Sequence, residues 1–130
     1  MNDFTPTMRL EYSDPRGELY VIEMPDDQEL LLFHSKKGSL RGGHAHDVNE
    51  VVVMLKGAMM YHKQHGVGEE LRRVNAGDAS FNPAGMPHMG EFLEDSWLIE
   101  FKLDGTKKGQ AKNIDHEPYR ALVKANAAAG

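Results

Sequence analysis

A chain of 130 residues is the size of one ordinary domain and is long enough to close a β-barrel around a hydrophobic core. Hydrophobic residues make up 40% of the sequence and charged residues 27%, as is typical of soluble globular proteins, and no apolar run approaches the roughly 20 residues of a membrane-spanning helix. The formal charge of −5 offers no broad positive field for nucleic acid.

The chain contains no cysteine, which excludes disulfide bonds and thiolate metal ligands. Any metal ion must therefore be bound by imidazole and carboxylate groups. Residues 1–6 lack the basic region and apolar stretch of a secretion signal. Together these features predict a cytoplasmic protein.

Short strands separated by turns dominate the sequence and predict an all-β sandwich or barrel. Turn signals occur at 14–17 and 25–27, and 65–68 has the composition of a hairpin tip. The predicted strands, in chain order, are 18–24, 30–33, 50–56, 58–62, 71–74, 79–81 and 97–103. One short C-terminal helix is predicted over 119–128, which is rich in Ala and Lys. Without an internal repeat or a linker, residues 1–130 are predicted to form a single domain.

Two of these strands have informative side-chain patterns. In strand 97–103, four apolar residues share one face, which their character assigns to the core: Trp97, Ile99, Phe101 and Leu103. The run 51–55 is apolar on both faces, so we expect its outer face to be covered as well. A homodimer interface would cover it, and a folded-back terminal segment is the alternative.

Three histidines and one glutamate form the candidate functional site of the sequence. His44 and His46 are two residues apart on a strand, so their side chains point to the same face. Residues 47–49 can turn the chain and return Glu50 beside them, and His88 follows a tight turn. Such groups inside an apolar barrel are costly unless a divalent cation satisfies them, which predicts a metal site.

The segments around these residues resemble the two cupin signatures. The first signature, Gly-x5-His-x-His-x3-Glu-x6-Gly, keeps every spacing in this chain. Its positions are Gly38, His44, His46, Glu50 and Gly57. The second signature, Gly-x5-Pro-x-Gly-x2-His, is matched in the same way. Its positions are Gly77, Pro83, Gly85 and His88.

This resemblance covers about the central half of the chain and implies a cupin jelly roll, a double-stranded β-helix barrel, with one mononuclear metal centre. The implied metal ligands are His44, His46, Glu50 and His88. Three nitrogens and one oxygen suit Fe, Mn, Zn, Ni or Cu and leave about two positions open on an octahedral ion. Phe92 stands where the signature has Asn, which implies a more apolar pocket wall.

A narrower resemblance concerns the ligand. Segments 14–23, 41–46 and 95–100 are similar to segments of sugar-nucleotide ketoisomerase and epimerase cupins. The resemblance implies that Arg41 binds an anionic group, which suits a planar guanidinium. In those proteins the two histidines move protons beside a keto group. Here Glu50 and His88 complete a ligand set, so a metal ion could instead polarise the carbonyl.

The predicted function is therefore that of a carbohydrate-related isomerase or epimerase with one divalent metal ion. Tyr61 and His62 are candidate proton carriers by position, although either could simply fill space or face water. Phe92 and Trp97 are candidate ligand contacts. The alternatives are an iron(II) dioxygenase and a non-catalytic small-molecule sensor. The expected partners are a small molecule and a second copy of the chain, and the sequence leaves the substrate and the native metal open.

Overall fold

The computed structural model describes residues 4–129, and within that range it contains eleven β-strands, one α-helix and a 3-10 turn at Pro25–Asp27. In chain order the strands and the helix are β1 Thr7–Asp14, β2 Gly17–Glu23, β3 Glu29–Ser35, β4 Leu40–His46, β5 Glu50–Lys56, β6 Ala58–His65, β7 Gly68–Asn75, β8 Ala79–Asn82, β9 His88–Phe92, β10 Ser96–Lys102, β11 Asn113–Asp115 and α1 Glu117–Ala129.

The strands form two antiparallel sheets. The first has six strands in the order β1-β2-β3-β10-β5-β8, and the second has five in the order β11-β4-β9-β6-β7. The prediction of a mostly β jelly roll with a short C-terminal helix is confirmed. Strand β5 has the predicted bounds, and β6 and β7 form the predicted hairpin, in which His65 pairs with Gly68.

The hydrophobic core lies between the two sheets. Its buried members come from β5, β6, β7, β9 and β10, and Phe33 packs against them. They are Val52, Met54, Met59, Tyr61, Val74, Phe92 and Leu98. Each fully buried aliphatic side chain of this kind stabilises the fold by roughly 1.5–3 kcal/mol. This cluster therefore holds the two sheets together.

Helix α1 packs on the outer face of the five-stranded sheet, mainly against β4. Tyr119 and Val123 are four residues apart, so they lie on one side of the helix, where they are buried against Met89 with Leu40 beside them. Asn126 fixes the far end of the helix by donating to the carbonyl of Gly38 at 2.9 Å. No helix within residues 4–129 is long and apolar enough to cross a membrane.

Three strands were not predicted: β1, β9 and β11. The first two-thirds of β1 is exposed at a sheet edge, so its sequence carries no buried-face alternation. Strand β9 contains Gly90, which lowers strand propensity, and β11 has only three residues, all exposed. Edge strands and short strands form because they pair with neighbouring strands. The local sequence pattern contains no information about that pairing, so these strands were missed.

The face assignment of strand 97–103 was wrong, although its alternation is real. Leu98 belongs to the core between the sheets, and Glu100 and Lys102 on the same face line the interior cavity. Trp97 points the other way and stacks on His34 with ring centroids 4.6 Å apart. One end of the barrel interior is polar, so the inner face of this strand contains charged residues. A prediction based only on apolar character therefore assigned the outer face to the core.

The outer face of the six-stranded sheet is apolar and partly accessible. Val51 and Val53 are half-buried, and Leu55 is 51% exposed. Helix α1 lies on the other sheet, so it is not the terminal segment that would cover run 51–55. The homodimer interface remains a prediction.

Candidate metal site in the barrel cavity

Three imidazoles converge at one end of the barrel. His44 and His46 project from β4 into the interior, and a bulge between Gly42 and His44 brings His44 opposite His88 of β9. The ring centroids of His44 and His46 are 4.8 Å apart, and those of His46 and His88 are 5.3 Å apart. His46 and His88 are buried, at 6% and 5% exposed.

Glu50 reaches the histidines from the opposite sheet. Its side chain is fully buried, with Oε2 at 3.0 Å from Nε2 of His46 and Oε1 at 3.1 Å from Nε2 of His88. Asn82 donates from Nδ2 to Oε1 at 2.9 Å, and Lys102 donates from Nζ to Oε2 at 3.0 Å. Glu50 at the first position of β5 is thus fixed by groups from four other strands.

The ring orientations turn the Nε2 atoms of His46 and His88 towards Glu50. Nδ1 of His46 lies 2.8 Å from Oδ1 of Asn113, and Nδ1 of His88 lies 3.2 Å from the carbonyl oxygen of Met86. Both partners are acceptors, so each Nδ1 can donate to one of them, and Nε2 is the ring atom that faces Glu50. The buried carboxylate requires positive charge at this point, which a proton or a metal ion on Nε2 would supply.

The same atoms pass a geometric test for a metal ion. Nε2 of His46 is buried and, within residues 4–129, has no hydrogen-bond partner of acceptable angle, although Oε2 of Glu50 is 3.0 Å away. Two ligands about 2.1 Å from one ion and at right angles lie about 3.0 Å apart. The spacing is therefore that of neighbouring ligands of one ion.

The candidate ligand atoms divide into two overlapping groups. Among the described residues, those within 4.8 Å of one another are His44, His46 and His88 in the first group, and His46, Glu50 and Glu100 in the second. Neither group contains all four predicted ligands: Glu50 is grouped with His46 and Glu100, and His44 with His46 and His88. The four-residue ligand set therefore remains a prediction. A carboxylate that was not predicted thus joins the site.

Glu100 and Lys102 are the residues that sequence interpretation missed. Lys102 donates from Nζ to Oε1 of Glu100 at 2.9 Å and to Glu50, so one ammonium bridges two carboxylates. Burial opposes the charge of Lys102, but Glu100 and Glu50 outweigh it and raise the pKa of Lys102. The sequence feature that could have identified them is their spacing of two on β10. It places Glu100 and Lys102 on the same face as Leu98, which points into the barrel.

The charges of this cluster depend on one another. Burial, together with the nearby His46 and His88, lowers the pKa of His44 to about 4. Burial opposes the charged form of His46 as well, but Glu100 and Glu50 outweigh it and raise the pKa of His46 to about 9. Burial also disfavours a charged Glu50, yet His46 and His88 hold its pKa well below the usual range. The site thus attracts positive charge beside Glu50.

The two candidate proton carriers lie in different places. Tyr61 is buried in the cavity wall, its hydroxyl accepts from Nδ2 of Asn82 at 2.8 Å, and burial raises its pKa well above 10. His62 follows it on β6, and its side chain therefore points to the outer face, where its ring is 6.2 Å from that of Tyr119. The structure places Tyr61 beside the candidate metal ligands, with its ring 5.8 Å from that of His88, and leaves His62 under the helix.

Of the three residues predicted to contact a small-molecule ligand, two line the cavity and one does not. Arg41 and Phe92 line the cavity, and Phe92 is only 2% exposed. Arg41 donates to Oγ of Ser35 at 2.7 Å and to the hydroxyl of Tyr12 at 2.9 Å. Burial lowers its pKa. Trp97 does not line the cavity, because it belongs to the outer face of its sheet.

One cavity of about 400 Å³ between the two sheets is bordered by the three histidines, Glu100 and Lys102, and by Arg41, Tyr61 and Phe92. Its apolar wall includes Leu19, Val52 and Met59, and its polar end carries the histidine cluster. This volume is at the lower end of small-molecule sites, which are typically about 300–1,000 Å³. The arrangement can hold a small ligand with one end against the imidazoles and the rest against apolar side chains.

Comparison with known proteins identifies the fold. No protein-family model and no curated protein sequence matches the chain. Among solved structures, the chain is similar to vicilin from hazelnut (Corylus avellana), with a TM-score of 0.68 and 16% identity over 83% of this chain and 34% of that one. It is similar to the capsular polysaccharide assembling protein CapF from Staphylococcus aureus, with a TM-score of 0.69 and 22% identity over 87% of this chain and 33% of CapF.

A third similar structure is oxalate decarboxylase from Bacillus subtilis, a protein with Mn(II) centres. Its TM-score is 0.70 and its identity 17%, over 88% of this chain and 33% of the decarboxylase. The chain thus spans about a third of the length of each of these proteins. All three have the cupin fold, and this chain has it too.

Proposed function

We propose that this cupin-fold protein binds one divalent metal ion through His44, His46, Glu50 and His88, and that it acts on a small carbohydrate-related molecule as an isomerase or epimerase. The observation that carries the metal assignment is the convergence of the Nε2 atoms of His46 and His88 on the buried Glu50 carboxylate, with His44 beside them. Imidazole nitrogens and a carboxylate at this spacing suit a divalent cation.

The bound ion would act as a Lewis acid that polarises a carbonyl or hydroxyl oxygen of the ligand. The protein's own residues have separate tasks. Asn113 fixes the ring of His46, and Lys102 with Asn82 orients the carboxylate of Glu50. Tyr61 retains its proton up to high pH because it is buried. Its hydroxyl is the proposed donor to a ligand oxygen in the cavity.

The carbohydrate assignment is supported by two kinds of likeness. Segments 14–23, 41–46 and 95–100 resemble sugar-nucleotide ketoisomerase and epimerase cupins, and one similar structure is a protein of capsular polysaccharide assembly. The cavity of about 400 Å³ suits a ligand of about the size of a substituted monosaccharide. Arg41 in its wall supplies a positive charge for an anionic substituent.

A proton-exchange experiment tests the reaction class. Isomerisation and epimerisation both remove a proton from the carbon next to a carbonyl, so incubation of the metal-loaded protein with sugars and nucleotide-sugars in D2O should place deuterium on that carbon. NMR detects the exchange even where the equilibrium favours the substrate. A Tyr61→Phe variant should exchange more slowly and retain its metal, whereas His62→Gln, on the outer face, should exchange at the parent rate.

An iron(II) dioxygenase is the second candidate, because a nitrogen-rich ligand set with open positions suits oxygen activation. It predicts oxygen uptake by the iron-loaded protein and no activity under anaerobic conditions. Isomerisation predicts the same rate with and without oxygen. Tight binding with an unchanged ligand would favour the sensor alternative and would contradict both reactions.

A further inference from the structure

Helix α1 brings one basic side chain to the cavity that the signatures do not include. Tyr119 and Val123 bury one side of the helix against the sheet, and Arg120, next to Tyr119, lines the cavity. Its Nη1 atom donates to the carbonyl of Gly42 at 3.0 Å. Its Nε atom is buried and has no hydrogen-bond partner among residues 4–129. A buried donor in a cavity wall is suited to a ligand acceptor.

The glycines before His44 make room for this arginine. A Cβ atom on Gly43 would lie 2.8 Å from Cδ and 3.0 Å from the backbone nitrogen of Arg120, and its φ of +89° also disfavours other residues. The backbone amide of His116 donates to the carbonyl of Gly43 at 2.9 Å, which fixes the start of the helix at this point. The close approach of Arg120 to the strand that carries the histidines therefore requires glycine at position 43.

Ion pairing distinguishes Arg41 and Arg120 from Arg16 and Lys102, which also line the cavity. Arg16 pairs with Asp14 at 2.7 Å, and Lys102 is held by its two carboxylates. Within the described residues, neither Arg41 nor Arg120 forms an ion pair, and both donate to hydroxyl or carbonyl oxygens. The cavity wall therefore contains two guanidinium groups that are not paired with a carboxylate.

We propose that Arg120, together with Arg41, binds the anionic group of the ligand, and that the ligand is a small organic oxyanion with a carboxylate or a phosphate. Guanidinium groups offer paired donors that match either group. The proposal rests on the function proposed for this cavity and narrows its substrate class: a neutral sugar would leave both charges without a partner. Arg120 is then a specificity-determining residue supplied by the C-terminal helix.

Binding measurements on the metal-loaded protein test this assignment. Isothermal titration with glucose 6-phosphate, glucuronate and glucose distinguishes a phosphate ligand, a carboxylate ligand and a neutral one. The variants are Arg120→Gln, which removes the charge, and Arg120→Lys, which keeps it. Lys124→Gln is the matched control, because Lys124 lies one turn later on the same helix and is exposed. Metal content and the unfolding transition are measured for each preparation.

The parent and Lys124→Gln should bind at least one of the two anions more tightly than glucose. Arg120→Gln should weaken anion binding about tenfold to a hundredfold, and Arg120→Lys should restore part of the loss. Equal anion affinity in the parent and Arg120→Gln would overturn the proposal. The proposal would also be overturned if the parent bound neither anion at millimolar concentration, or if it bound glucose as tightly as the anions. Metal content tests the proposed metal function separately, because Arg120 is not among the metal ligands.

Discussion

Nε2 of His46 lies 3.0 Å from Oε2 of Glu50, at an angle outside that of a hydrogen bond. On the other side of the ring, Nδ1 of His46 lies 2.8 Å from Oδ1 of Asn113. Glu50 is fully buried, so its charge must be balanced by neighbouring groups. The metal ion proposed for this point would be bound by both atoms.

Asn113 should control metal affinity without touching the ion. Asn113→Ala removes the acceptor that fixes the ring of His46, and loss of such an outer partner typically weakens metal binding about tenfold to a hundredfold. Competition with a chelator measures the affinity. Asn75→Ala on the exposed strand β7 is the control and should leave it unchanged. Equal affinities of Asn113→Ala and the parent would show that the ring is held by other contacts.

Lys102 should oppose metal binding, because its ammonium lies 3.0 Å from the Oε2 atom of Glu50. Replacing it in Lys102→Met removes a positive charge next to the ion and frees the carboxylate, so the metal affinity should rise about tenfold. The same chelator competition measures the change, with Lys124→Met on the exposed side of α1 as the control. A lower affinity in Lys102→Met would mean that orientation of Glu50 outweighs repulsion.

Docking of the C-terminal helix should depend on pH through Tyr119, whose hydroxyl donates to Oε2 of Glu69 at 2.7 Å. Burial and the Glu69 carboxylate raise the pKa of Tyr119 well above its usual range. The unfolded chain loses this proton near pH 10, so the free energy of unfolding should fall as the pH rises above about 10.

A Tyr119→Phe variant separates this effect from other titrations. It should unfold with about 1–2 kcal/mol less free energy near pH 8, because it lacks the hydrogen bond to a charged group. Its stability should also decline less than that of the parent above pH 10. Urea unfolding at several pH values measures both differences. Parallel pH profiles for the two proteins would exclude Tyr119 as the titrating group.

The apolar outer face of the six-stranded sheet predicts a homodimer. Four of its strands, β2, β3, β5 and β10, have seven residues each. Six strands spaced about 4.8 Å apart and rising about 3.3 Å per residue present a face of roughly 650 Å². This is close to the roughly 800 Å² that each partner contributes to a stable interface.

Light scattering on a sizing column tests the dimer, with the chain mass of 14.6 kDa as the reference. The parent should have twice that mass. Val53→Asp, in the middle of the face, should shift it to a single chain mass, and Val67→Asp at the exposed hairpin tip should not. A parent that elutes as one chain at micromolar concentration would contradict the prediction.

The sequence predicted the all-β class from its strand and turn pattern, and the jelly roll from its resemblance to the cupin signatures. A spacing of two on a strand places His44 and His46 on one face, whereas Glu50 reaches them from the opposite sheet, as the resemblance implied. The partners of these residues come from distant strands: Glu100 and Lys102 from β10 and Asn113 from β11. Which face of β10 points inward depends on packing between sheets, and apolar character alone selected the wrong one.

The most direct test of the account is the metal content of the purified protein. Elemental analysis compares the parent with a His46→Ala, Glu50→Ala double variant and with a matched His65→Ala, Glu70→Ala control, whose His–Glu pair is exposed. The account predicts about one divalent ion per chain in the parent and the control, and none in the double variant. Metal retained by the double variant, or absent from the parent even after reconstitution, would contradict the proposed site.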